Sequence, residues 1–444
     1  MSWDFETEPG FAAQLDWIEA FVRDEVEPLD HVVEDPYDVK DPVRAALIPP
    51  LQHRVRAQGL WACHLSPKLG GQGYGQVKLA LINEILGRSR SAPVVFGCQA
   101  PDSGNSEILA HFGTAQQQRR WLDPLLAGDI VSCFAMTEPQ GGADPKVFTT
   151  SAVEDGGAWI IRGEKWYASN ASVAAFFLVL AVTEPDASPY HRLSMFIVPA
   201  DVAGLEIVRR IRSGTERYGA HGYVRFNDVR VPADHLLGER GGAFAIAQTR
   251  LGGGRIHHAM RTVGLARRAL DMMGERAVSR HTQDGPLATK QLVQQAVAES
   301  WMQLESFRLL VLRTAWKIDR YQDYQRVRAD ISAVKSMMPR VLHDIAARAL
   351  QVHGSLGASQ EMPFLDYIAE AFHMGLVDGP TEVHQLTLGR ELLKGYEPAP
   401  GLFPTGHLPA LRAAAEASLA ASLGAARLTS APGWAHNGGG STGV

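Results

Sequence analysis

Cysteine is scarce in this chain: Cys63, Cys98 and Cys133 are the three among 444 residues. An odd count with no Cys-x-x-Cys spacing implies neither a disulfide framework nor a thiolate metal cluster, so buried free thiols are expected. Long apolar runs are also missing. None approaches the roughly 18 residues of a membrane-crossing helix, and the most apolar stretch, Ala171 to Val182, reads as a buried strand. Neither sign of charge is in excess: 43 Lys and Arg stand against 48 Asp and Glu, a net −5. That balance gives no general attraction to nucleic acid or to an anionic membrane. The start, Met1-Ser2-Trp3-Asp4-Phe5-Glu6, is acidic. It has neither the basic start and apolar core of a secretory signal nor the acid-poor character of a transit peptide, so a cytoplasmic location is expected.

What the chain does have is an ordinary globular composition, 45% hydrophobic and 20% charged, with length for two or three domains and a large core. Periodicity divides it. Residues 1–131 carry helical stripes, one through Phe11, Leu15, Ile18, Phe21 and Val22 and another through Leu79 to Leu86, with Pro and Gly clusters at 49–50 and 67–75 separating helices. Residues 132–240 switch to short strands. Asp155-Gly156-Gly157 is a hairpin turn between Ser151–Val153 and Trp159–Ile161, followed by Phe176–Val182, Leu193–Val198 and Tyr223–Val231. Their spacing predicts an antiparallel sheet or small barrel. Residues 241–398 return to helices, with long ones over 292–318 and 327–353, the second ending at Gly354; these lengths suit a four-helix bundle. Residues 399–444, rich in Ala, Gly, Ser and Pro, read as a partly ordered tail. The expected class is α+β: an N-terminal helical domain, a middle antiparallel β domain and a C-terminal four-helix bundle.

Three segments carry candidate chemistry. In Cys133-Phe134-Ala135-Met136-Thr137-Glu138-Pro139-Gln140-Gly141-Gly142-Ala143-Asp144, a strand opens into a glycine-rich turn whose N–H groups can face a ligand, with the Thr137 hydroxyl beside them. A plain surface loop fits as well. In Gly163-Glu164-Lys165-Trp166-Tyr167-Ala168-Ser169-Asn170, an aromatic near a small hydroxyl can stack on a flat ring and bond its edge, although a strand-end aromatic is more often core. In Asp378-Gly379-Pro380-Thr381-Glu382-Val383-His384, Thr381 is a candidate helix start and Asp378 an acid on the preceding loop; a lone acid there is usually a cap. Two decoys are set aside. Gly70-Gly71-Gln72-Gly73-Tyr74-Gly75 lacks the strand and βαβ unit of a dinucleotide site and reads as a turn into a helix at 77–87. His257-His258 are adjacent on a helix, point in different directions and have no carboxylate motif, so no metal site is expected.

Taken together, in this order and at these separations, the segments resemble the acyl-CoA dehydrogenase family. The Thr-Glu-Pro-x-x-Gly-x-Asp run, the Gly-x-Lys-aromatic-aromatic-x-Ser-Asn run and Phe226-Asn227-Asp228-Val229-Arg230-Val231-Pro232 match its middle domain. Gly238-Glu239, Gly241-Gly242, Arg255, Arg280, Gln351-Val352-His353-Gly354-Ser355-Leu356-Gly357 and the 378–384 segment match its C-terminal domain. The resemblance covers about 10–395. Within the family, Gly252 to Gly264 and Asp-Gly-Pro-x-Glu-Val-His resemble the subgroup of animal family members ten and eleven and their bacterial relatives, without the kinase-like domain of the large animal proteins.

The resemblance implies removal of two hydrogens from the α,β bond of an acyl-CoA thioester, with FAD as acceptor and an electron-transfer flavoprotein as electron partner. It implies that Phe134, Met136, Thr137, Gly142, Ala143, Tyr167, Ala168 and Ser169 line the flavin. Arg280, Gln291, Gln351, Val352, Gly354 and Ser355 would reach the FAD of a neighbouring subunit in a homodimer or homotetramer, and Thr381 and Glu382 would flank its adenosine. Ala143, Gly253, Gly254, Arg255, His257 and Gly379 would meet the substrate. Asp378 stands where most members have the glutamate base; relatives with the acid before the aligned arginine differ here, because that residue is Gly254. Asp378 is thus the implied base and Arg255 its orienter, with the Asp378 N–H polarising the thioester carbonyl. Ala143 departs from the serine of many relatives. Competing readings are an acyl-CoA oxidase, a flavin monooxygenase and a non-catalytic partner subunit; Asp378 argues against the second, and the presence of both FAD segments with the base argues against the third.

Overall fold

The computed structural model describes residues 5–69, 71–142, 144–213 and 219–420. Ala143 lies outside the described residues, as do the side-chain surroundings of 249–253 and therefore those of Gly253.

The N-terminal domain is built from α1 (Pro9–Phe21), α2 (Pro42–Ala57), α3 (Gln76–Leu86), α4 (Ala92–Val95), α5 (Asp102–Phe112), α6 (Ala115–Gln117) and α7 (Asp123–Ala127). The two expected stripes face one core, where Phe11, Ile18 and Phe21 meet Leu79, Ile82 and Leu86. The expected break at 49–50 is corrected: Pro49 and Pro50 lie inside α2. Each proline removes one backbone donor and favours kinking. The helix persists because tertiary burial of Ile48, Gln52 and Val55 outweighs this, and because the Gln52 amide donates to the Val94 carbonyl at 3.1 Å. The glycine-rich turn enters α3 as expected. Its helix N-terminus, a ready anion site, is occupied by a carboxylate of this chain: Gln76 and Val77 N–H donate to Asp319 at 2.6 and 3.0 Å. A Cβ at Gly75 would lie 2.7 Å from that carboxylate, so any larger residue there would push the Asp319 side chain off the helix end.

The middle domain is an eight-stranded sheet of β1 (Ser132–Ala135), β2 (Ser151–Asp155), β3 (Ala158–Ser169), β4 (Phe176–Val182), β5 (Leu193–Pro199), β6 (Leu205–Ile211), β7 (His221–Pro232) and β8 (Leu236–Leu237). The strand order is β6-β7-β3-β1-β4-β5-β8, with β2 pairing β3 and β4. Most pairs are antiparallel, yet β4 runs parallel to β1 and touches β2 in parallel register. The sheet is therefore mixed, unlike the all-antiparallel reading of the spacing. All seven residues of β4 are buried. Phe176, Leu178 and Leu180 enter one core, while Phe177, Val179 and Ala181 enter the other. A strand covered on both faces loses the apolar–polar alternation and reads as a continuous apolar run.

The C-terminal bundle comprises α8 (Ala243–Ser279), α9 (Gln291–Tyr321), α10 (Arg328–His353) and α11 (Phe364–Leu376). With 37 residues, α8 is about 55 Å long at 1.5 Å per residue. Its first turns, Ala243 to Ala247, pack on the sheet, and Ile256 to Met273 enter the bundle core. Close contact of α3 with α8 requires glycine at Gly264, where a Cβ would lie 2.0 Å from the Glu84 carbonyl oxygen. After α11 comes α12 (Thr381–Leu393).

Packing divides the chain into two units, Met1–Gly389 and Arg390–Val444. In the second, Phe403 stacks on His407 and α13 (Leu408–Ala420) follows; the end of the expected tail lies outside the described residues. Among the described residues, no helix is long and apolar enough to cross a membrane.

Candidate active site

Two of the three candidate segments meet at the end of the sheet. Phe134 of β1 is in register with Ser169 of β3, and the Trp166 N–H donates to the Thr137 carbonyl at 2.8 Å. A register shift between Lys165 and Ala168 and a φ of +54° at Tyr167 turn the Tyr167 ring out of the sheet, where it is 40% exposed. Such backbone geometry is unusual for a bulky residue and clusters at functional sites. Phe134, Met136, Thr137 and Ser169 are half-buried around it, with Gly142 nearby: its Cβ would lie 3.7 Å from the Thr137 methyl. The Ala168 side chain is buried in the core, leaving only its backbone toward this shelf.

Residues that local sequence does not mark hold the shelf in place. Lys165 and Glu138 form a fully buried ion pair at 2.8 Å, and Lys165 Nζ also donates to the Met136 carbonyl. Glu138 further accepts the Thr149 and Thr150 N–H groups at 2.7 and 3.0 Å. Burial would raise the Glu138 carboxyl, but the Lys165 charge and these hydrogen bonds more than offset it and bring it to about 2. In the Thr-Glu-Pro run, then, Glu138 is a strut for the loop. Ser169 Oγ lies 3.0 Å from His221 Nδ1, whose other nitrogen is buried without a hydrogen-bond partner. The His221 ring sits 5.0 Å from Tyr167 and edge-on to His373 of α11 at 5.3 Å. An aromatic face, two hydroxyls and an unsatisfied imidazole nitrogen suit a flat, polar-edged heteroaromatic ring.

Asp378 lies in the loop that follows α11, the helix of His373, and has a φ of +56°. Its carbonyl is clamped: Arg255 Nε and Nη2 donate to it at 3.3 and 3.2 Å, and His384 Nε2 lies 3.3 Å away. Arg255 thus holds the backbone of Asp378, and its charge also acts on the carboxylate. The carboxylate faces His258, with Oδ2 3.8 Å from Nε2. Lys335, which donates to the Met374 carbonyl, also feels the Asp378 charge; burial still lowers its ammonium to about 8. Gly379 follows with a φ of +106°, and a Cβ there would lie 2.9 Å from His384 Nε2. Thr381 begins α12 as expected, but its hydroxyl donates back to the Gly375 carbonyl; Glu382 is exposed on that helix.

Asp378 forms one wall of a cavity shared with Gly254, His257, His258 and Arg261 of α8 and with His64, Cys98, Ser103 and Glu107 of the N-terminal domain. His257 and His258 both border this cavity, and they diverge as expected. One faces His64 and the other faces Asp378. Arg261 donates to Asn83 and to the Cys98 carbonyl at 2.7 and 2.8 Å, fixing α8 against this wall. Among the described residues, no group of three or more His, Cys, Asp or Glu is arranged to hold a metal ion.

Burial keeps these imidazoles neutral: His64 is lowered to about 3, His221, His258 and His384 to about 4, and His257 well below its ordinary value. The folded values lie below the unfolded one, so the unfolded chain takes up protons first as pH falls through about 6.5. Stability should therefore fall between about pH 6.5 and 4, each histidine contributing at most about 1.4 kcal/mol per pH unit. Urea unfolding midpoints should drop from pH 7 to 5; equal midpoints across that range would contradict these neutral imidazoles.

The remaining candidates lie elsewhere. Arg280 caps the far end of α8, Gln291 begins α9, and Gln351 to Ser355 close α10. Antiparallel packing gathers them at one end of the bundle, where His353 feels the charges of Arg276 and Glu275. Arg280, Gln291, Gln351, Gly354 and Ser355 are exposed, and Val352 is half-buried. From Arg255 to Arg280 the helix rises about 37 Å, so one chain does not bring this group to Asp378.

The family models for the N-terminal, middle and C-terminal domains of acyl-CoA dehydrogenase match residues 12–129, 133–229 and 241–393. "Probable acyl-CoA dehydrogenase FadE2" of Mycobacterium tuberculosis is 38% identical over 393 residues, covering 87% of this chain and 92% of that protein. Mouse acyl-CoA dehydrogenase family member 11 is 41% identical over 345 residues, covering 76% of this chain but 44% of its own length. This chain therefore spans under half of that animal relative. Butyryl-CoA dehydrogenase from Megasphaera elsdenii superposes with a TM-score of 0.75 at 25% identity, covering 88% of this chain and 100% of that one. The chain belongs to the acyl-CoA dehydrogenase family, a family of oxidoreductases.

Proposed function

We propose that this chain is an FAD-dependent acyl-CoA dehydrogenase that converts an acyl-CoA to its trans-2-enoyl-CoA, with Asp378 as the base. The observation that carries the reading is that His221 of the Tyr167 shelf meets His373 on α11, the helix that runs into the loop holding the clamped Asp378. FAD, when bound, supplies the acceptor for the β-hydrogen and its electrons. Thr137 and Ser169 would hold the polar edges of the flavin and Tyr167 its face, with Phe134, Met136, Gly142, Ala143 and the Ala168 backbone around it. Thr381 and Glu382 would flank the adenosine.

A thioester α-proton is weakly acidic, so the base must be placed and the carbonyl polarised at once. The backbone clamp by Arg255 and His384 does the placing, and the Asp378 N–H would meet the carbonyl oxygen. Ala143, Gly253, Gly254, Arg255, His257 and Gly379 would meet the acyl thioester, and of these Gly254 and His257 line the cavity beside Asp378. Electrons would pass to an electron-transfer flavoprotein, and the working location would be the cytoplasm.

Purified protein should carry close to one FAD per chain, and its colour should bleach when butyryl-, octanoyl- or palmitoyl-CoA is added without oxygen. Slow recovery in air would separate a dehydrogenase from an oxidase. A protein colourless after reconstitution with FAD would remove this reading.

The far-end group of Arg280, Gln291 and Gln351 to Ser355 would contact the FAD of a neighbouring subunit at its diphosphate and adenosine, making a dimer the smallest active unit. Arg280→Ala should then weaken FAD retention and dimerisation together. Light scattering that finds an active, FAD-saturated monomer would exclude this arrangement.

A further inference from the structure

We infer that His258 is a positioning residue for the base, presenting a neutral imidazole N–H to the Asp378 carboxylate. The inference rests on the reading of Asp378 as base and adds the group that orients its reacting end. Arg255 sits one turn before His258 on α8; its guanidinium donates to the Asp378 carbonyl, and its charge also acts on the carboxylate. His384 faces that same carbonyl. These contacts fix the backbone at its positive φ through the carbonyl oxygen, not through the carboxylate oxygens. His258 meets the carboxylate, Nε2 to Oδ2 at 3.8 Å, with both side chains largely buried. That distance exceeds a direct hydrogen bond. Catalytic hydrogen bonds are often long before the substrate arrives and shorten in the productive complex.

The surroundings decide the charge state of His258. Burial is the largest influence and disfavours the imidazolium; Arg261 on α8 and Lys335 on α10 oppose it too, while Asp378 and Glu370 of α11 favour it. Arg255 on α8 and His384 on α12 face Asp378, Arg328 of α10 adds its charge near Arg255, and His64 and Glu107 line the cavity from the N-terminal domain. The neutral form prevails, so His258 acts as a dipolar donor. A donor to the ionised form lowers the pKa of a carboxylate. Its orientation also decides whether the oxygen points at the substrate, where about 1 Å of misplacement costs about 10²-fold.

The test is the pH profile of kcat/KM with butyryl-, octanoyl- and palmitoyl-CoA, measured alongside FAD content and unfolding midpoint. In His258→Leu the acid limb should move up by about one pH unit, a roughly tenfold loss below the limb. His258→Gln keeps an amide N–H and should recover at least half of that shift. If Leu prevents folding, the Gln variant alone decides: its acid limb should stay within about half a unit of the parent, and a shift beyond about one unit overturns the inference. An acid limb unmoved in a folded His258→Leu protein also overturns it, as does a loss equal at every pH. Asp378→Asn separates the two levels. A parent enzyme inert to all three thioesters, or unaffected by Asp378→Asn, sinks the base assignment and this inference together. An enzyme disabled by Asp378→Asn but indifferent to His258→Leu sinks only the inference.

Discussion

Replacing Asp378 with asparagine is expected to slow anaerobic flavin reduction by about 10²- to 10⁴-fold, the usual cost of losing a general base. Asparagine keeps the size and part of the hydrogen bonding but cannot take the α-proton. The Arg255 and His384 contacts go to the backbone carbonyl of Asp378, which the substitution leaves in place. FAD content and unfolding midpoint should therefore stay near those of the parent. Asp378→Glu is the sharper companion. The backbone is pinned, and the carboxylate already lies 3.8 Å from His258, so one added methylene displaces the oxygens by about 1 Å and should cost about 10²-fold. Near-normal flavin reduction in Asp378→Asn would move the base elsewhere, with Glu382, exposed on α12, the next residue to test.

Lys165→Met should cost about 3–5 kcal/mol of stability, because it leaves the Glu138 carboxylate buried without its ion-pair partner. Both side chains are fully buried, at 0% and 1% exposure, so water does not replace the lost contact. Lys165 also donates to the Met136 carbonyl. Its loss should loosen the 136–142 loop and weaken FAD retention along with the fold. Adding Glu138→Gln removes the stranded charge, so the double variant should be more stable than Lys165→Met alone. Urea unfolding of the three proteins measures the coupling. Equal midpoints for Lys165→Met and the parent would contradict the strut role of the pair.

The elements most legible in the sequence are those whose physics is local. Gly156 and Gly157 supply the two positive φ values of the β2–β3 hairpin, and Asp-Gly-Gly between apolar runs announces such a turn. The run from Phe176 to Val182 announces a strand covered on both faces, and the stripes of α9 and α10 announce bundle helices. Pairing partners are less visible. The parallel contact of β1 with β4 depends on strands separated by β2 and β3 in the chain, and no local pattern encodes it. Proline at 49 and 50 signals a break locally, while the burial that overrides it comes from α4 and its neighbours.

The candidate site divides in the same way. Asp378, Tyr167 and Ser169 stand out through resemblance, with local chemistry only permitting their roles. Their supports were not legible. Asp319 serves α3 across 243 positions of sequence, Arg261 reaches Asn83 across 178, and Lys335 reaches Met374 across 39. Each is an unremarkable charge on a helix until the fold supplies its partner. His258 had a signal, the adjacent pair on one helix. The divergence of neighbours on a helix holds for the pair, and it conceals that both members border one cavity.

The most direct test of the account is a single turnover without oxygen, mixing the FAD-loaded protein with octanoyl-CoA, or with whichever of the three thioesters bleaches it fastest. The bleached flavin and the thioester products are then quantified together. The account predicts one trans-2-enoyl-CoA formed per FAD reduced, and slower bleaching when both α-hydrogens of the thioester are deuterium. Flavin that stays oxidised, or that bleaches without stoichiometric enoyl-CoA, would contradict it.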